Sequence, residues 1–461
     1  MNQSFDLINF TKIFYNENRK GNYLENRFKE LIKVRGVSEA IVELNNEIKL
    51  DKIKRFNGDI SEAEFNANKI NRKARKEALS NSRHKEIEAI LTLIEQNISN
   101  KKYNLELIKL PYNEKIFIFK NDTPEVFFLS KQLQDNLKRA FQIKHGARNE
   151  ILMQLKNLLN DGFPKYLIRT DIKSFFESIP HDKLKSKIMS NLDLDPFSKK
   201  LINTVLQEYK KITQLDIGVP RGLGVSSYLA ELYMCNIDLK FRLDSNVLFY
   251  GRYVDDIILV FSPKFNQGLK EYFDFVKKTI IEEGLVMNEA KTIPIDLTKS
   301  SNSSFDYLGY KFVLHGNNAS LKIHLTKTKI EKYKKKIDFT IDSYNKGSKY
   351  NEKKERKLLL QRLKYLTGNT RLSNVKNEIL IGSYFSNLLL DENDLSSLIC
   401  LDRYLDHKIN NHLVFNFAPP ALNQNKFKEK LRNYKFQSGF INRTYYPFDS
   451  QALKKIIHQS W

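Results

Sequence analysis

Phe249-Tyr250-Gly251-Arg252-Tyr253-Val254-Asp255-Asp256-Ile257-Ile258-Leu259-Val260-Phe261 decides how the rest of the chain is read. Two runs rich in aromatic and β-branched residues flank a short polar centre, the pattern of a β-hairpin. The centre holds two adjacent carboxylates, Asp255 and Asp256. Neighbouring acids repel, and a turn made only for folding is more cheaply Asn-Gly or Asp-Gly. A divalent cation offsets that repulsion, because hard cations such as Mg²⁺ take carboxylate oxygens together with substrate phosphates. An isolated Asp-Asp pair is more often a solvated hairpin tip. Flanks this apolar do not suit a surface loop, and motifs elsewhere in the chain decide between the two readings.

The chain has 461 residues, enough for a large core and one or two accessory domains. Hydrophobic residues make up 41% and charged residues 28%, so a packed globular protein is expected. Lys and Arg number 77 against 54 acids, a formal net charge of +23. Such a surplus favours a polyanionic partner through phosphate neutralisation and counterion release. A lysine-rich compositional bias explains part of it, since Asn and Ile are also abundant. Cys235 and Cys400 are far apart, which fits neither a zinc site nor a disulfide framework. The start of the chain has no charged-then-apolar signal pattern. No uninterrupted run of about 18 apolar residues is present. A reduced, cytoplasmic protein without a membrane partner is the expectation.

Taken in order, residues 1–104 read as helical, with Ile87, Ile90, Leu91, Ile94 and Ile98 at helical spacing. The charged stretch 46–86 reads as an exposed helical pair or as a surface for nucleic acid. Leu105–Pro111 and Ile116–Lys120 read as short strands, and a helical pattern returns between Ser130 and Leu159. A strand is expected over Tyr166–Asp171, helix over 184–213, a glycine-rich turn over Gly218–Gly224 and helix over Val225–Leu239. After the hairpin come an amphipathic helix over Leu269–Glu283 and two strands around Lys291 and Leu308. Residues 321–370 are basic and carry Tyr333, Tyr344, Tyr350 and Tyr365, a pattern suited to gripping a nucleic-acid backbone. Residues 371–461 read as α-helical without a strand pattern, and the acids at Asp391, Glu392 and Asp394 as a solvated helix start.

Tyr253-Val254-Asp255-Asp256 resembles the Tyr-X-Asp-Asp box of reverse transcriptases. Upstream, Ile168-Arg169-Thr170-Asp171-Ile172-Lys173-Ser174-Phe175-Phe176-Glu177-Ser178-Ile179-Pro180-His181 resembles the first catalytic box of bacterial members of that family. Gly218-Val219-Pro220-Arg221-Gly222-Leu223-Gly224-Val225-Ser226-Ser227-Tyr228-Leu229-Ala230-Glu231-Leu232-Tyr233 resembles the next box. Glu283-Gly284-Leu285-Val286-Met287-Asn288-Glu289-Ala290-Lys291-Thr292 and Phe305-Asp306-Tyr307-Leu308-Gly309-Tyr310 look like the last two. Together these motifs, in the family's order, cover roughly residues 110–325. The resemblance implies an α+β fold of the right-hand polymerase kind (fingers, palm, thumb) with α-helical N-terminal and C-terminal parts. It places fingers at 105–170, the palm with its catalytic motifs at 171–320, a basic helical thumb at 321–370 and an α-helical C-terminal domain at 371–461.

It also implies RNA-directed DNA polymerase activity, a nucleotidyl transfer with two divalent cations about 4 Å apart. The cations are Mg²⁺, with Mn²⁺ as the alternative. Asp171 and Asp255 are the expected bridging ligands, with Asp256 and the backbone carbonyl of Ile172 as further oxygens. Phe176, five residues after Asp171, matches the aromatic that occupies the space of a ribose 2′-hydroxyl and so favours deoxynucleotides. Phe175 is the expected core member of that pair, because successive strand residues face opposite ways. Gly222 allows close backbone approach to nucleotide or template. Lys291 is a candidate general acid toward pyrophosphate, with a plain surface lysine as the alternative. Arg148 is the candidate triphosphate grip among the basic residues of the fingers, and Leu308-Gly309 a candidate grip on the primer end.

Arg221 departs from the pattern, since most reverse transcriptases carry Gln there. Pro-Arg-Gly-Leu-Gly followed by Leu-Ala-Glu-Leu-Tyr is similar to antiphage defence-associated and abortive-infection reverse transcriptases of bacteria. The implied role is antiviral defence. Expected partners are an RNA template, among them a dedicated non-coding RNA, a DNA product and dNTPs. A homo-oligomer or a partner defence protein is a further alternative. The competing readings are a retron or group II intron-type reverse transcriptase and a catalytically inactive polymerase fold serving as an RNA-binding scaffold.

Overall fold

The computed structural model describes residues 2–144, 146–298, 302–315, 320–372, 379–415 and 421–457. The chain opens with helices α1 (Leu7–Arg19), α2 (Leu24–Arg27), α3 (Ile32–Asn57) and α4 (Glu62–Ser99). An antiparallel pair follows, β1 (Leu107–Leu110) and β2 (Asn113–Phe119). Helices α5 (Pro124–Ala140) and α6 (Arg148–Leu159) lead to β3 (Tyr166–Asp171). Then come α7 (Phe175–Ser178), α8 (His181–Ser190), α9 (Pro196–Thr213) and α10 (Gly224–Leu243). The next elements are β4 (Val247–Tyr253), β5 (Asp256–Phe261), α11 (Leu269–Glu282), β6 (Ile293–Asp296), β7 (Ser303–Tyr307), β8 (Tyr310–His315) and β9 (Ser320–Leu325). The long α12 (Lys327–Thr367), β10 (Asn369–Arg371) and β11 (Leu380–Gly382) precede α13 (Ser396–Asn411), α14 (Ala421–Arg432), α15 (Phe436–Ile441) and α16 (Ser450–Ile457).

These elements form two compact units: Met1–Lys144 with Ser174–Cys235, and His145–Lys173 with Asn236–Trp461. In the first, Gly58 in the left-handed region turns α3 back toward α4, and Ser61 caps α4 through the Glu64 N–H. The apolar stripe of α4 is buried at Ile87, Leu91, Ile94 and Ile98, at the spacing the sequence predicts. Part of the basic run is tied into the helical pair. Arg72 meets Glu47 and Asp51, and Arg55 meets Glu62. The expected helix over 184–213 is two helices. Asp195 caps the second through the Ser198 N–H, and Pro196 fits its first turn, where no N–H is needed.

The second unit is built on an antiparallel sheet of order β4-β5-β3-β6. In β5, Ile257 to Phe261 are all buried, so both faces of this strand are covered. Ile258, Val260 and Leu167 join Leu152, Leu155 and Leu159 of α6 in one apolar cluster. On the other face, Phe261 packs on Tyr272 of α11, and Phe241 of α10 on Phe275. The same cluster runs on through β7-β8-β9 and α12 to Leu398, Leu401 and Leu405 of α13 and Phe436 and Phe440 of α15.

Several local expectations change. Lys291 lies in a 3₁₀ turn, Glu289–Lys291, because Thr292 hydrogen-bonds back to Asn288 before β6 begins. Leu308 and Gly309 form the turn between β7 and β8. A small antiparallel pair, β10 with β11, interrupts the region read as helical only. Asp391 to Asp394 form a turn ahead of α13, whose first residue is Ser396. Tyr344 lies in the core, Tyr333 packs on Phe436 and Tyr365 on Phe448, whereas Tyr350 is exposed. These tyrosines follow the apolar stripe of α12, so burial rather than ligand contact sets three of the four positions. Among the described residues neither Cys235 nor Cys400 is in a disulfide. Among the described residues no helix is long and apolar enough to cross a membrane.

The shared core predicts that Leu398→Ala destabilises the protein by about 2–5 kcal/mol, as for a fully buried leucine. Urea denaturation followed by far-ultraviolet circular dichroism reads this. A loss well below that range would mean that α13 packs loosely against the sheet unit.

Candidate active site

The β4–β5 connection is tighter than the sequence suggests. Tyr253 pairs with Asp256, so the turn consists of Val254 and Asp255 alone, and Asp256 already belongs to β5. Val254 has φ +60°. A two-residue hairpin with positive φ at its first central position normally has Gly there, and a β-branched residue in that region is strained by about 1–3 kcal/mol. The side chains around the turn hold it. Arg252 donates to the Val254 carbonyl at 2.9 Å and grips both oxygens of Asp238 on α10 at 2.7 Å. Tyr250 donates to the same Asp238 at 2.6 Å. The Arg252 and Asp238 side chains are largely buried.

β3 sits beside β5 in a register that sets Asp171 opposite Asp256. The Asp171 and Asp255 carboxylates are in contact. Burial, reinforced by the charges of Asp171 and Asp256, pushes Asp255 up to about 6. The neighbouring acids are compensated. Lys291 Nζ lies 2.8 Å from Asp171, and Asn288 donates to the same oxygen at 3.1 Å. Arg169 pairs with Asp256 at 2.8 Å and donates to the Lys291 carbonyl at 3.1 Å. Hydrogen bonding to Asp171 holds Lys291 above its ordinary pKa, hence protonated. Among the described residues no cation pairs with Asp255. Ile172 faces Met287 in a single antiparallel bridge. Its bonds run from the Lys173 N–H to Val286 and from the Asn288 N–H to Asp171, leaving the Ile172 carbonyl outside the ladder.

Among the described residues, no three His, Cys, Asp or Glu side chains form a group able to hold a metal ion. The donor chemistry nonetheless fits a divalent cation. Asp171 and Asp255 are crowded hard oxygens with a charge deficit at Asp255, and Asp256 is turned onto Arg169.

The remaining sequence candidates divide between the units. Arg148 belongs with the sheet unit, at the start of α6, where it donates to the Leu308 carbonyl and lies over the Tyr310 ring. Phe176, Arg221 and Gly222 belong to the other unit. Phe175 is buried and Phe176 half-buried, as expected, but the cause differs: both lie in the short helix α7, not in an alternating strand. The Arg221 guanidinium is exposed, 5.9 Å from the Phe176 ring centroid. Asp216 is paired with Lys210, and among the described residues Arg221 has no acidic partner. Gly222 has φ +108°, and a Cβ there would lie 2.7 Å from the Phe117 carbonyl and from Ile116 Cγ2. Its backbone approaches β2 closely, and only Gly fits.

Sequence reading missed Arg169, Asn288, Arg252 and Asp238. Arg169 and Arg252 had a usable signal, a charge inside an otherwise apolar strand. Asp238 had none, because the contact joins a helix to a strand.

Residues 123–312 match the family model described as reverse transcriptase (RNA-dependent DNA polymerase). No curated protein matches. Among solved structures, the chain is similar to apo telomerase from Candida tropicalis at 15% identity, covering 72% of this chain and 53% of that one, with a TM-score of 0.35. It is also similar to telomerase from Candida albicans in complex with a TWJ fragment of telomeric RNA. There the values are 12% identity, 66% and 54% coverage and a TM-score of 0.32. The chain spans about half the length of these telomerases. The match to the reverse transcriptase model is confined to residues 123–312, and the fold is α+β, of the right-hand polymerase class with a helical N-terminal region.

Asp255 gives a pH prediction. Its pKa is raised above the ordinary 3.8 to about 6, so its ionised form costs stability above pH 6. That cost fades as pH falls through about 6 toward 3.8. In EDTA, Asp255→Asn should therefore be more stable than wild type at neutral pH by about 1–2 kcal/mol, after discounting for solvent screening. The gain should shrink on acidification, and added Mg²⁺ should stabilise wild type more than the variant. Melting curves across pH, with and without Mg²⁺, check both points. A pH-independent difference would remove the crowded carboxylate pair from the account.

Proposed function

We propose that this chain is a reverse transcriptase that adds deoxynucleotides to a primer on an RNA template, with Asp171 and Asp255 as the principal metal ligands. The observation that carries this is the contact of these two carboxylates beside a strained hairpin turn, within the residues that match the reverse transcriptase model. Asp256 and the Ile172 carbonyl supply further oxygens. Two divalent ions, Mg²⁺ or Mn²⁺, when bound there, supply activation of the primer 3′-hydroxyl and stabilisation of the leaving pyrophosphate. The chain's own part is positioning and charge. Lys291, held protonated by Asp171, supplies an ammonium at the acidic cluster and a proton donor for pyrophosphate. Phe176 excludes a ribose 2′-hydroxyl. Arg221, exposed and without an acidic partner among the described residues, offers a fixed fork of donors to a phosphate or a guanine edge and narrows the preference among bases. The Arg221 variant of its box supports a place in bacterial antiviral defence, with a dedicated RNA as template.

Primer extension with Mg²⁺ on RNA and DNA templates tests the reading. Wild type should extend on RNA, and Asp255→Ala with Asp256→Ala should abolish extension while leaving the circular dichroism spectrum intact. Persistent synthesis by the double variant would sink the ligand assignment. A wild type that binds RNA but extends no primer would favour the scaffold reading.

Phe176→Ala should lower the ratio of deoxy- to ribonucleotide incorporation by about tenfold or more, since about 1.4 kcal/mol of lost discrimination is a factor of ten. An unchanged ratio would place the gate elsewhere.

A further inference from the structure

Among the described residues, the β7–β8 turn has two cations against it and no acid paired with them. Arg148, from α6, and Lys329, from the first turn of α12, both lie over the ring of Tyr310, at 5.4 and 4.4 Å from its centroid. Their donors reach backbone carbonyls, a neighbouring amide and a tyrosine side chain, none of them charged: Arg148 to Leu308, Asn149 and Tyr310, Lys329 to Ser386 at 3.0 Å. Gly309 is packed between them. A Cβ there would lie 3.3 Å from Lys329 Cδ and 3.4 Å from an Arg148 nitrogen, and its φ is +82°. Among the described residues no carboxylate pairs with either cation.

The local fields make this arrangement costly as it stands. α12 begins at Lys327, next to the turn, because Thr326 donates its N–H to the Gly309 carbonyl at 3.2 Å. The positive end of α12, whose helix is interrupted at Asn351, therefore lies here, and its first turn contains no acid. Lys327 and Lys329 are both in that turn, where lysine is unfavourable. Burial, followed by repulsion from Arg148, lowers Lys329 to about 7. A half-buried cation, a second cation and a helix N-terminus converge with nothing negative between them. Each of these features alone favours an anion.

We infer that Arg148, Lys329 and the N-terminus of α12 form a seat for one phosphate group beside the Leu308-Gly309 turn. The tetrahedral anion takes Arg148 as a fork, Lys329 as a point charge and, as further donors, first-turn N–H groups of α12 other than that of Lys329, which Thr326 caps. The nucleic-acid identity of the ligand rests on the proposed function. The phosphate belongs either to a phosphodiester of a bound strand or to an incoming nucleotide. Arg148 thus acts jointly with a residue nearly two hundred positions later.

The test uses the full chain in EDTA, without catalysis, so an inactive polymerase still reports on this seat. Lys329→Met, Arg148→Met and Lys329→Arg are compared with wild type by fluorescence anisotropy. The probes are a recessed RNA·DNA hybrid across a salt series and a fluorescent deoxynucleotide triphosphate. Each Met variant should weaken hybrid binding by about tenfold at low salt and flatten the logarithmic salt slope by about one. Lys329→Arg should keep wild-type affinity. Lys329→Met should melt no lower than wild type, which a packing role for the lysine would not allow. A tenfold loss confined to the nucleotide probe assigns the phosphate to the nucleotide and also supports the seat. Unchanged affinity for both probes overturns it. A second measurement needs no change at Lys329: single methylphosphonates walked along the primer strand of the hybrid. For a strand phosphate, one position should weaken wild-type binding and have no further effect on Arg148→Met. Equal losses in the two proteins at every position, with nucleotide affinity also unchanged, overturn the inference.

Discussion

The grip of Arg252 on the Val254 carbonyl is the contact on which the acidic cluster depends. Val254 occupies a backbone region that costs a β-branched residue about 1–3 kcal/mol. One hydrogen bond from a charged donor contributes about 1.5–3 kcal/mol, so the two are of the same size. That balance holds only while Arg252 is aimed, and Asp238 aims it through two bonds of 2.7 Å. Removing either member of the pair leaves the other charge buried alone, at a cost of about 3–5 kcal/mol. The turn is therefore held from helix α10 beneath it. Asp255 is presented toward Asp171 by a backbone that would otherwise relax.

A second balance is electrostatic. Asp171 and Asp256 lie side by side at the ends of the two central strands, with Asp255 in the adjoining turn, and two cations are supplied from neighbouring elements: Lys291 to Asp171 and Arg169 to Asp256. Asp255 receives none among the described residues, and burial and its neighbours push it up to about 6. The charge deficit is thus concentrated on the residue at the tip of the strained turn. Full neutralisation by lysines would have been cheaper for folding. The proposed cation site needs one carboxylate left uncompensated, which a built-in salt bridge would have removed.

The hairpin and the strand that carries Asp171 were legible because they rest on periodicity, and the order of the motifs because it resembles that of a known family. The sheet's register was not legible in the same way, since Ile257 to Phe261 are all buried and a shift of one residue would exchange one covered face for the other. The turn was read too broadly. Two adjacent acids look alike in sequence, yet Asp255 is a turn residue and Asp256 a strand residue paired with Tyr253. Phe175 and Phe176 were separated correctly for the wrong reason: helix α7, not strand alternation, buries the first. The tyrosines of α12 suggested a ligand surface, but an aromatic at helical spacing is equally a core residue, and only neighbours distant in sequence decide. Phe436 and Phe448 are those neighbours, and nothing local announces them.

The same distinction bears on what the positive charge means. A compositional drift toward lysine adds cations where they cost little, on exposed surface, or where an acid offsets them, as for Lys120 with Glu106. Drift does not account for lysines at a helix N-terminus, where each costs about 0.3–1 kcal/mol. Still less does it account for one that is half-buried beside an arginine and lowered to about 7. Lys329 is the cation that composition explains least, and it lies with Arg148 against a turn whose Gly309 leaves room for both side chains. The net charge of +23 is therefore not one property. Much of it is solvated or paired, and the informative part is the small remainder kept where folding alone would remove it.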